Sequence, residues 1–318
     1  MDYISYLFRR KLLRVLIFGI FFTFLIASVW GILIVFEKDE LSCNCQSQAD
    51  NEMKSLNKKS SGHVMCIIVP FRDRFEELLE FAPYMKTFLE KQGVDYKLIV
   101  VNQMDRYRFN RASLINVGFL ESRNKCDYIA MHDVDLLPVS EELVYLFPEE
   151  SQPYHLAAPH LHPLYHYSNY AGGILLIRST DFEKLNGLSN KYWGWGREDD
   201  EFFVRMKKAK FTLQRPGNLT TGYQSFKHIH DRKKRPRDYN RFFDQKEKTR
   251  RLDRETGIST VKYEVDSTHD LAVDDAPVTV INIYLECNVD FTPWCLQYED
   301  HEAYLKQLEA KNLSKPKV

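Results

Sequence analysis

The stretch VMCIIVPFRDRFEELLEFAPYMKTFLEKQGVDYKLIVV, residues 64–101, decides the fold of this chain. Its apolar run Val64 to Val69 predicts a buried strand. Phe75 to Gln92 has apolar residues at helical spacing and ends at Gly93, a residue typical of the position after a helix. Tyr96 to Val101 is apolar again and predicts a second strand. This order is β-α-β, the unit from which parallel sheets are built.

The same alternation continues along the chain, because Arg111 to Ser122 predicts a second helix and Tyr128 to Met131 a third strand. We therefore expect an α/β domain whose parallel sheet carries helices on both faces. Ligands of such sheets bind at the carboxyl ends of the strands. Those ends fall at 70–74 and 132–135, where the chain is rich in charged residues. Further strands and a polar terminal helix are predicted at Gly173 to Ile177, Val261 to Val265, Val278 to Leu285 and past Glu299.

Composition limits the possible functions. The chain has 318 residues and 44% are apolar, which is enough for a full core and excludes disorder throughout. Basic and acidic residues balance at 44 each. A neutral chain is not a general polyanion binder, so we expect no nucleic-acid partner.

The N-terminal region predicts a membrane anchor. No charged residue occurs from Val15 to Phe36, a run long enough to cross a bilayer as a helix. Basic residues precede it and acidic residues follow it, which places the N-terminus in the cytoplasm. We expect a tail at 1–14, a signal-anchor at 15–36, a polar stem at 37–62, a lumenal catalytic domain at 63–298 and a tail at 299–318. A cleaved signal peptide is the rival interpretation, but the run is too long and no cleavage site follows.

Six cysteines fit a lumenal, oxidising location. Cys287 and Cys295 bracket a short loop and are predicted to form a disulfide. Cys66 and Cys126 lie in apolar, strand-like runs and are interpreted as buried thiols. Cys43 and Cys45 in the stem are candidates for links between chains, for palmitoylation, or for no role. The sequons that begin at Asn218 and Asn312 predict glycosylation.

Two short motifs are candidates for metal binding. Asp133-Val134-Asp135 follows a predicted strand, so its carboxylates point to the same side and can converge on a cation that bridges a diphosphate. The alternative is a turn held by Asx hydrogen bonds. His228 and His230 have the same spacing, and one carboxylate with two imidazoles suits Mn²⁺, with zinc as a competitor. Two histidines that hydrogen-bond to the backbone are the alternative.

The segment Trp193-Gly194-Trp195-Gly196-Arg197-Glu198-Asp199-Asp200-Glu201 is the most informative. Four acids at the start of a helix would complement its dipole, so stability alone can explain them. It does not explain the alternation of tryptophan and glycine, which favours a mobile lid that stacks on sugar rings. Carboxylates beside an aromatic wall are suited to sugar hydroxyls.

A second aromatic cluster precedes two glycines. Tyr165, Tyr167 and Tyr170 lie just before Gly172-Gly173, where missing side chains would permit close approach of a ligand. This favours an aromatic acceptor pocket. Three tyrosines packed on the core, with hydroxyls that reach water, are the equal alternative.

Together these motifs resemble the β1,4-galactosyltransferase family. The family's motifs occur here in its own order over nearly all of His63 to Cys295, and they are Val69 to Arg74, Phe109 to Ala112, Asn116 to Phe119, Asp133 to Asp135, Gly172-Gly173 and Trp193 to Asp200. The resemblance implies a GT-A-type, Rossmann-like α/β glycosyltransferase fold behind the single N-terminal transmembrane helix.

The resemblance also implies roles for individual residues. It assigns UDP-sugar binding to Pro70, Phe71, Arg72, Arg74, Phe109, Arg111, Asp133, Val134 and Trp195. It assigns Mn²⁺ to Asp135, His228 and His230. Asp199 is implied as the base, with Glu198 on sugar hydroxyls. The acceptor pocket is implied to contain Tyr165, Tyr167, Tyr170, Gly172, Gly173, Trp195, Glu198 and Asp199.

Within the family, some members add galactose to xylose, and this is the first galactose of the glycosaminoglycan linkage. Three segments of this chain resemble those members, namely His228 to His230, Leu164 to Tyr167 and Thr292 to Cys295. Members that act on N-acetylglucosamine have Met-x-x-His where this chain has Ser225-Phe226-Lys227-His228. The resemblance thus implies a Golgi membrane enzyme with UDP-galactose as donor and xylosylated proteoglycan core proteins as acceptors.

Other functions remain open from the sequence. The same fold can use UDP-N-acetylgalactosamine or act on N-acetylglucosamine. A non-catalytic Golgi sugar-binding protein is disfavoured by the complete set of ligands and base, and a metal-dependent phosphohydrolase leaves the tryptophan–glycine lid unexplained. The charged stretch 231–255 is interpreted as a solvated surface, with a basic surface for an acidic core protein as the alternative.

Overall fold

The structure is a computed structural model that describes residues 62–250 and 252–313. Its strands are β1 Val64–Phe71, β2 Asp95–Gln103, β3 Tyr128–His132, β4 Leu136–Pro138, β5 Tyr154–His155, β6 Ile174–Arg178, β7 Phe226–His228, β8 Tyr263–Val273 and β9 Ala276–Leu285. Its α-helices are α1 Phe75–Gln92, α2 Arg111–Ser122, α3 Ser179–Lys184, α4 Glu198–Lys208, α5 Gln245–Lys248 and α6 His301–Leu313. Short 3₁₀ turns occupy Gly222–Gln224, Pro293–Cys295 and Tyr298–Asp300.

Both early helices have the predicted bounds. Helix α1 ends where Gly93 takes a left-handed conformation at φ 65°, which a residue without Cβ adopts at no cost. Helix α2 begins after Asn110, whose side chain accepts a hydrogen bond from the Ser113 N–H at 2.9 Å. This cap fixes the start of the helix and therefore the position of Arg111, its first residue.

The main sheet is mixed, with the strand order β5-β6-β3-β1-β2-β9-β8. Strands β3, β1, β2 and β9 are parallel, whereas β5, β6 and β8 are antiparallel to their neighbours. The expectation of a parallel sheet is therefore wrong at both edges. Only Asp274 and Asp275, both at positive φ, separate β8 from β9. A connection this short can join only antiparallel strands.

Alternate residues of β1 face two separate cores. Met65 and Ile67 pack with Phe81 of α1, whereas Ile68 packs with Leu114 and the rest of α2. The prediction of helices on both faces of the sheet is thus confirmed.

Two disulfides occur in the described part of the chain. The predicted Cys287–Cys295 bond is present. Cys66 and Cys126 are also bonded, with Cα atoms 5.7 Å apart, so their interpretation as free thiols is wrong. The physical reason is the pairing of β1 with β3, which places Cys66 opposite Ile129 and close to Cys126, two residues before β3 begins.

Within residues 62–250 and 252–313, no helix has both the length and the apolarity that a bilayer crossing requires. The predicted anchor at 15–36 and the stem cysteines, Cys43 and Cys45, lie outside the described residues.

Candidate active site

A cavity of about 1030 Å³ opens at the carboxyl ends of β1 and β3. Most of the residues singled out by sequence line it, namely Pro70, Arg72, Arg74, Phe109, Arg111, Asp133, Val134, Asp135, Tyr165, Tyr167, Tyr170, Trp195, Glu198, Asp199, His228 and His230. Phe71, Gly172 and Gly173 do not line it. Phe71 is only 3% exposed and packs edge-to-face against Phe75.

The carboxylate and imidazoles proposed for a metal lie together because β4 pairs with β7. This small antiparallel sheet sets Leu136 opposite His228, and the Ile229 N–H donates to the Asp135 carbonyl at 2.9 Å. His230 Nδ1 lies 3.2 Å from Asp135 Oδ2, and His228 Nε2 lies 3.9 Å from Asp135 Oδ1. Ile229, between the two histidines, packs on the core.

The protonation states of these groups fit a divalent cation. Burial opposes ionisation of Asp135, but the hydrogen bond from His230 and the nearby positive groups together hold its pKa below the ordinary value. Burial lowers the pKa of His228 and keeps its imidazole neutral. An ionised carboxylate and a neutral imidazole are the forms of Asp135 and His228 that bind metal. His230 Nε2 is buried without a hydrogen-bond partner in the described chain, which leaves it available as a ligand atom.

Asp135 lies close to both His228 and His230, and the three side chains do not point to one common position. In the part of the chain that the structure describes, no three His, Cys, Asp or Glu side chains already have the arrangement of a metal centre. His230 Nδ1 is also 3.1 Å from the guanidinium of Arg74, which is paired with Glu77. A bound cation would therefore replace the present contact between His230 and Asp135.

Two adjacent carboxyl groups begin helix α4 and face the cavity. Burial raises the pKa of Asp199 to about 6, although the nearby positive charge of Arg111 opposes this. Burial and then the charge of Asp199 raise the pKa of Glu198 to about 8. Near neutral pH, one group is thus ionised and the other protonated, which is the separation that acid–base chemistry uses. Glu198 Oε2 is buried and has no hydrogen-bond partner among the described residues.

Arg111 joins the two acidic motifs. Its Nε donates to Asp133 Oδ1 at 2.7 Å and its Nη1 donates to Asp199 Oδ1 at 2.9 Å. The family resemblance predicts that Arg111 binds UDP; in the structure Arg111 lines the cavity and its guanidinium orients the carboxylate of the candidate base. Arg72 likewise donates to the carbonyls of Gln103, Asp105 and Tyr107, so it orders the loop after β2.

The paired glycines make room for a protein side chain. A Cβ at Gly172 would collide with the Asp199 carboxylate and lie 2.8 Å from the Tyr170 ring. Gly173 has φ +74°, and a Cβ there would lie 2.9 Å from Leu136. The expected close approach of a ligand is therefore not what these glycines provide. The missing side chain at Gly172 allows the Asp199 carboxylate to pack against the backbone just before β6.

An aromatic wall stands beside the two carboxyl groups. The Tyr165 ring lies 5.1 Å from Tyr170 and 6.2 Å from Trp195, and Tyr167 lies 5.5 Å from Tyr170. The Tyr165 hydroxyl is buried and has no hydrogen-bond partner in the described chain. Trp195 is 38% exposed between two glycines at positive φ. Aromatic rings beside a hydroxyl without a hydrogen-bond partner are suited to a sugar. The interpretation of the tyrosines as an acceptor pocket is therefore favoured over their packing on the core alone.

Sequence reasoning missed two residues of this wall. His162 is buried, and its Nδ1 accepts hydrogen bonds from the backbone N–H groups of Leu164 and Tyr165 at 2.9 and 3.0 Å. The guanidinium of Arg237 lies 5.5 Å from the Tyr165 ring and 5.0 Å from the Trp195 ring. A single histidine and one arginine in a basic run carry no local signal, because both roles depend on contacts across the fold.

Comparisons with known proteins agree with this geometry. Two family models match, described as the N-terminal region of glycosyl transferase group 7 over residues 40–148 and the N-terminal domain of galactosyltransferase over residues 152–229. The beta-1,4-galactosyltransferase 7 of Drosophila melanogaster is 54% identical over 237 residues, which cover 74% of this chain and 74% of the relative. The xylosylprotein 4-beta-galactosyltransferase of Caenorhabditis elegans is 47% identical over 242 residues, 74% of this chain and 83% of the relative.

A solved structure is similar as well. It is a mutant of the Drosophila beta-1,4-galactosyltransferase 7 in complex with manganese, UDP-Gal and xylobiose. It matches with a TM-score of 0.72 and 54% identity, covering 74% of this chain and 99% of that chain. The mixed sheet and its cavity are thus those of a GT-A-like glycosyltransferase. The chain belongs to the β1,4-galactosyltransferase family.

Proposed function

We propose that the chain transfers galactose from UDP-galactose to xylose on proteoglycan core proteins, with inversion at the anomeric carbon and with Mn²⁺ as cofactor. One observation carries the proposal. A single cavity holds Asp135 and its two histidines at the ends of β3 and β7, and Asp199 against the tyrosine wall. The relative solved with manganese, UDP-Gal and xylobiose supports the same donor, metal and acceptor sugar.

Asp199 would act as the general base. An α-linked donor that gives a β-linked product requires attack from the face opposite the diphosphate. As the acceptor oxygen bonds to the anomeric carbon, its proton passes to Asp199, and the bond to the diphosphate breaks with its electron pair on UDP. A pKa of about 6 leaves Asp199 ionised at neutral pH yet basic enough to take the proton. Protonated Glu198 can donate a hydrogen bond to a sugar hydroxyl.

The donor and the cation would occupy the other side of the cavity. Asp135, His228 and His230 are the residues that would hold Mn²⁺, and a cation bound there would neutralise charge on the departing UDP. Pro70 and Phe109 provide apolar surface for the nucleotide. Asp133, which is paired with Arg111, would contact the nucleotide sugar rather than the cation.

The proposal also places the protein in the Golgi membrane. Residues 1–14 would be cytoplasmic and 15–36 the signal-anchor; 37–62 would form the stem and 63–298 the lumenal domain, with the tail at 299–318. Two disulfides in the described residues support an oxidising lumen. Asn218 is exposed and accessible for glycosylation. The side chain of Asn312 lies outside the described residues. Protease protection of a C-terminal tag in sealed Golgi vesicles tests the orientation, and digestion of the tag would contradict it.

The activity is tested with the purified full-length chain and UDP-galactose. A β-xyloside and an N-acetylglucosamine acceptor are offered side by side, with and without Mn²⁺, and UDP-N-acetylgalactosamine is offered as a second donor. We expect Mn²⁺-dependent galactose transfer to the xyloside alone. Transfer only to N-acetylglucosamine would reject the acceptor assignment, and the absence of any transfer would favour a sugar-binding protein.

A further inference from the structure

A basic segment borders the cavity. It is Arg232-Lys233-Lys234-Arg235-Pro236-Arg237, with five cations in six residues, and it begins two residues after the predicted metal ligand His230. Asp231 fixes its start, because the Asp231 carboxylate accepts from the Lys233 N–H at 2.8 Å and its carbonyl accepts from the Arg235 N–H at 2.8 Å. The segment therefore has a defined turn at its start.

Two residues of the basic segment contact the walls of the cavity. Arg235 is paired with Glu76 and Glu77 at the start of α1. Arg237 lies over the rings of Tyr165 and Trp195. The second half of the segment thus lines the cavity between the start of α1 and the aromatic wall.

Most of its positive charge is not neutralised. Arg232, Lys233 and Lys234 are exposed, and the half-buried Arg237 contacts rings. Apart from the Asp231 that precedes them, no carboxylate of the described chain pairs with these four cations. Some other surface lysines do have carboxylate partners, as in Lys227–Glu80, Lys262–Glu286 and Lys306–Glu302. Because the whole chain is neutral, this local excess is a feature of the rim.

The position of the excess indicates its partner. A xylose bound between Tyr165 and Trp195, as the proposed function requires, would bring its attached peptide close to Arg237, which lies over both rings. Lys233 is four residues from Arg237, a distance of at most about 14 Å along an extended chain. A peptide flank of about four residues covers the same span. We propose that the basic segment binds acidic side chains next to the xylosylated residue of the acceptor protein, and so selects acidic acceptors. This inference rests on the proposed function.

The test uses the full-length chain with UDP and Mn²⁺ present. Two fluorescent xylosylated peptides differ only in their flanks, which carry Asp and Glu in one and Asn and Gln in the other. Binding is followed by anisotropy, and KM by galactose transfer. We expect the acidic peptide to bind about 5- to 20-fold more tightly at low salt, and the difference to shrink at 0.5 M salt, as for screened surface pairs.

Charge-reversal variants locate the effect. Arg232→Glu with Lys233→Glu should abolish the preference, whereas KM for UDP-galactose and turnover of a free β-xyloside should stay unchanged. Lys207→Glu with Lys208→Glu is the matched control, because it reverses two exposed lysines at the far end of α4. Equal binding of both peptides by the wild type would overturn the proposal, as would an equal loss in the control. A rise in KM for UDP-galactose alone would assign the cations to the diphosphate instead.

Anisotropy reports on the peptide flanks whether or not turnover occurs, so the two proposals can fail separately. Absence of transfer to the free xyloside rejects the function. Transfer to the xyloside together with equal binding of the two peptides rejects only the acidic-flank inference.

Discussion

Arg111 donates a hydrogen bond to Asp199 across 2.9 Å, so the buried carboxylate of the candidate base faces a fixed positive charge. Burial alone would favour the protonated acid and remove the base at neutral pH. The guanidinium opposes this effect and leaves the pKa of Asp199 at about 6. Because Arg111 also holds Asp133, one cation sets both the orientation and the protonation of the acidic groups in the cavity.

The role of Asp199 predicts a large loss of turnover in Asp199→Asn. The amide retains the shape of the side chain but cannot accept the proton, so kcat should fall by about 10²- to 10⁴-fold. The affinity for UDP-galactose, measured by calorimetry with Mn²⁺, should change little. A variant with near-normal kcat would assign the base to another residue.

The pH profile should depend on Arg111. In the wild type, kcat should fall as pH drops through about 6, because Asp199 becomes protonated there. In Arg111→Gln the opposing positive charge is lost, so the pKa of Asp199 rises and the acid limb should move to higher pH by about one unit or more. The measurement is kcat from pH 5 to 9 for both proteins. An unchanged limb would show that another group controls it.

Metal binding should depend on His228, at the end of β7, and on His230, two residues further along. His228→Ala or His230→Ala removes one nitrogen ligand, so the Mn²⁺ concentration for half-maximal activity should rise at least about 10-fold. KM for the xyloside at saturating Mn²⁺ should change less. His269→Ala, at an exposed position on β8, is the control. A metal titration that matches wild type in both site variants would contradict the assignment.

Local pattern predicted much of this fold. The bounds of α1 follow from apolar spacing and from Gly93, because this helix presents an apolar stripe to the sheet. Helix α2 also has its predicted bounds, although it is buried on nearly all sides. The strand that ends before Asp133 was also predicted, since a buried strand followed by charged residues has few alternatives in an α/β chain. Both signals lie within about 20 residues, where the sequence order alone sets the contacts.

Contacts between distant segments could not be predicted in the same way. The Cys66–Cys126 bond requires the register of β1 on β3, which no spacing encodes. The hydrogen bond between Arg111 and Asp199 joins residues that are 88 positions apart, and no local pattern predicts it. Such contacts depend on which strands meet, and periodicity does not specify this.

The space at Gly172 should be essential for Asp199. In Gly172→Ala the added methyl group would displace the carboxylate and the Tyr170 ring, so kcat should fall about 10- to 100-fold even where the protein remains folded. Gly217→Ala is the matched control, because a Cβ there meets nothing within 4 Å. Circular dichroism checks the fold of both. Normal turnover in Gly172→Ala would mean that Asp199 can move without loss of its function.

His162 should position the acceptor wall without touching the reacting atoms. Its Nδ1 accepts two backbone N–H groups, which fixes the turn that presents the Tyr165 ring. His162→Leu leaves both donors without a partner, so the turn should relax and KM for the xyloside should rise about 10-fold, while KM for UDP-galactose stays constant. In His162→Asn the amide oxygen can take the place of Nδ1, and most of the xyloside affinity should return. If KM for the xyloside is as high in His162→Asn as in His162→Leu, the hydrogen bonds do not hold Tyr165 in place. The remaining explanation is then the packing of the imidazole against the Tyr165 and Tyr170 rings.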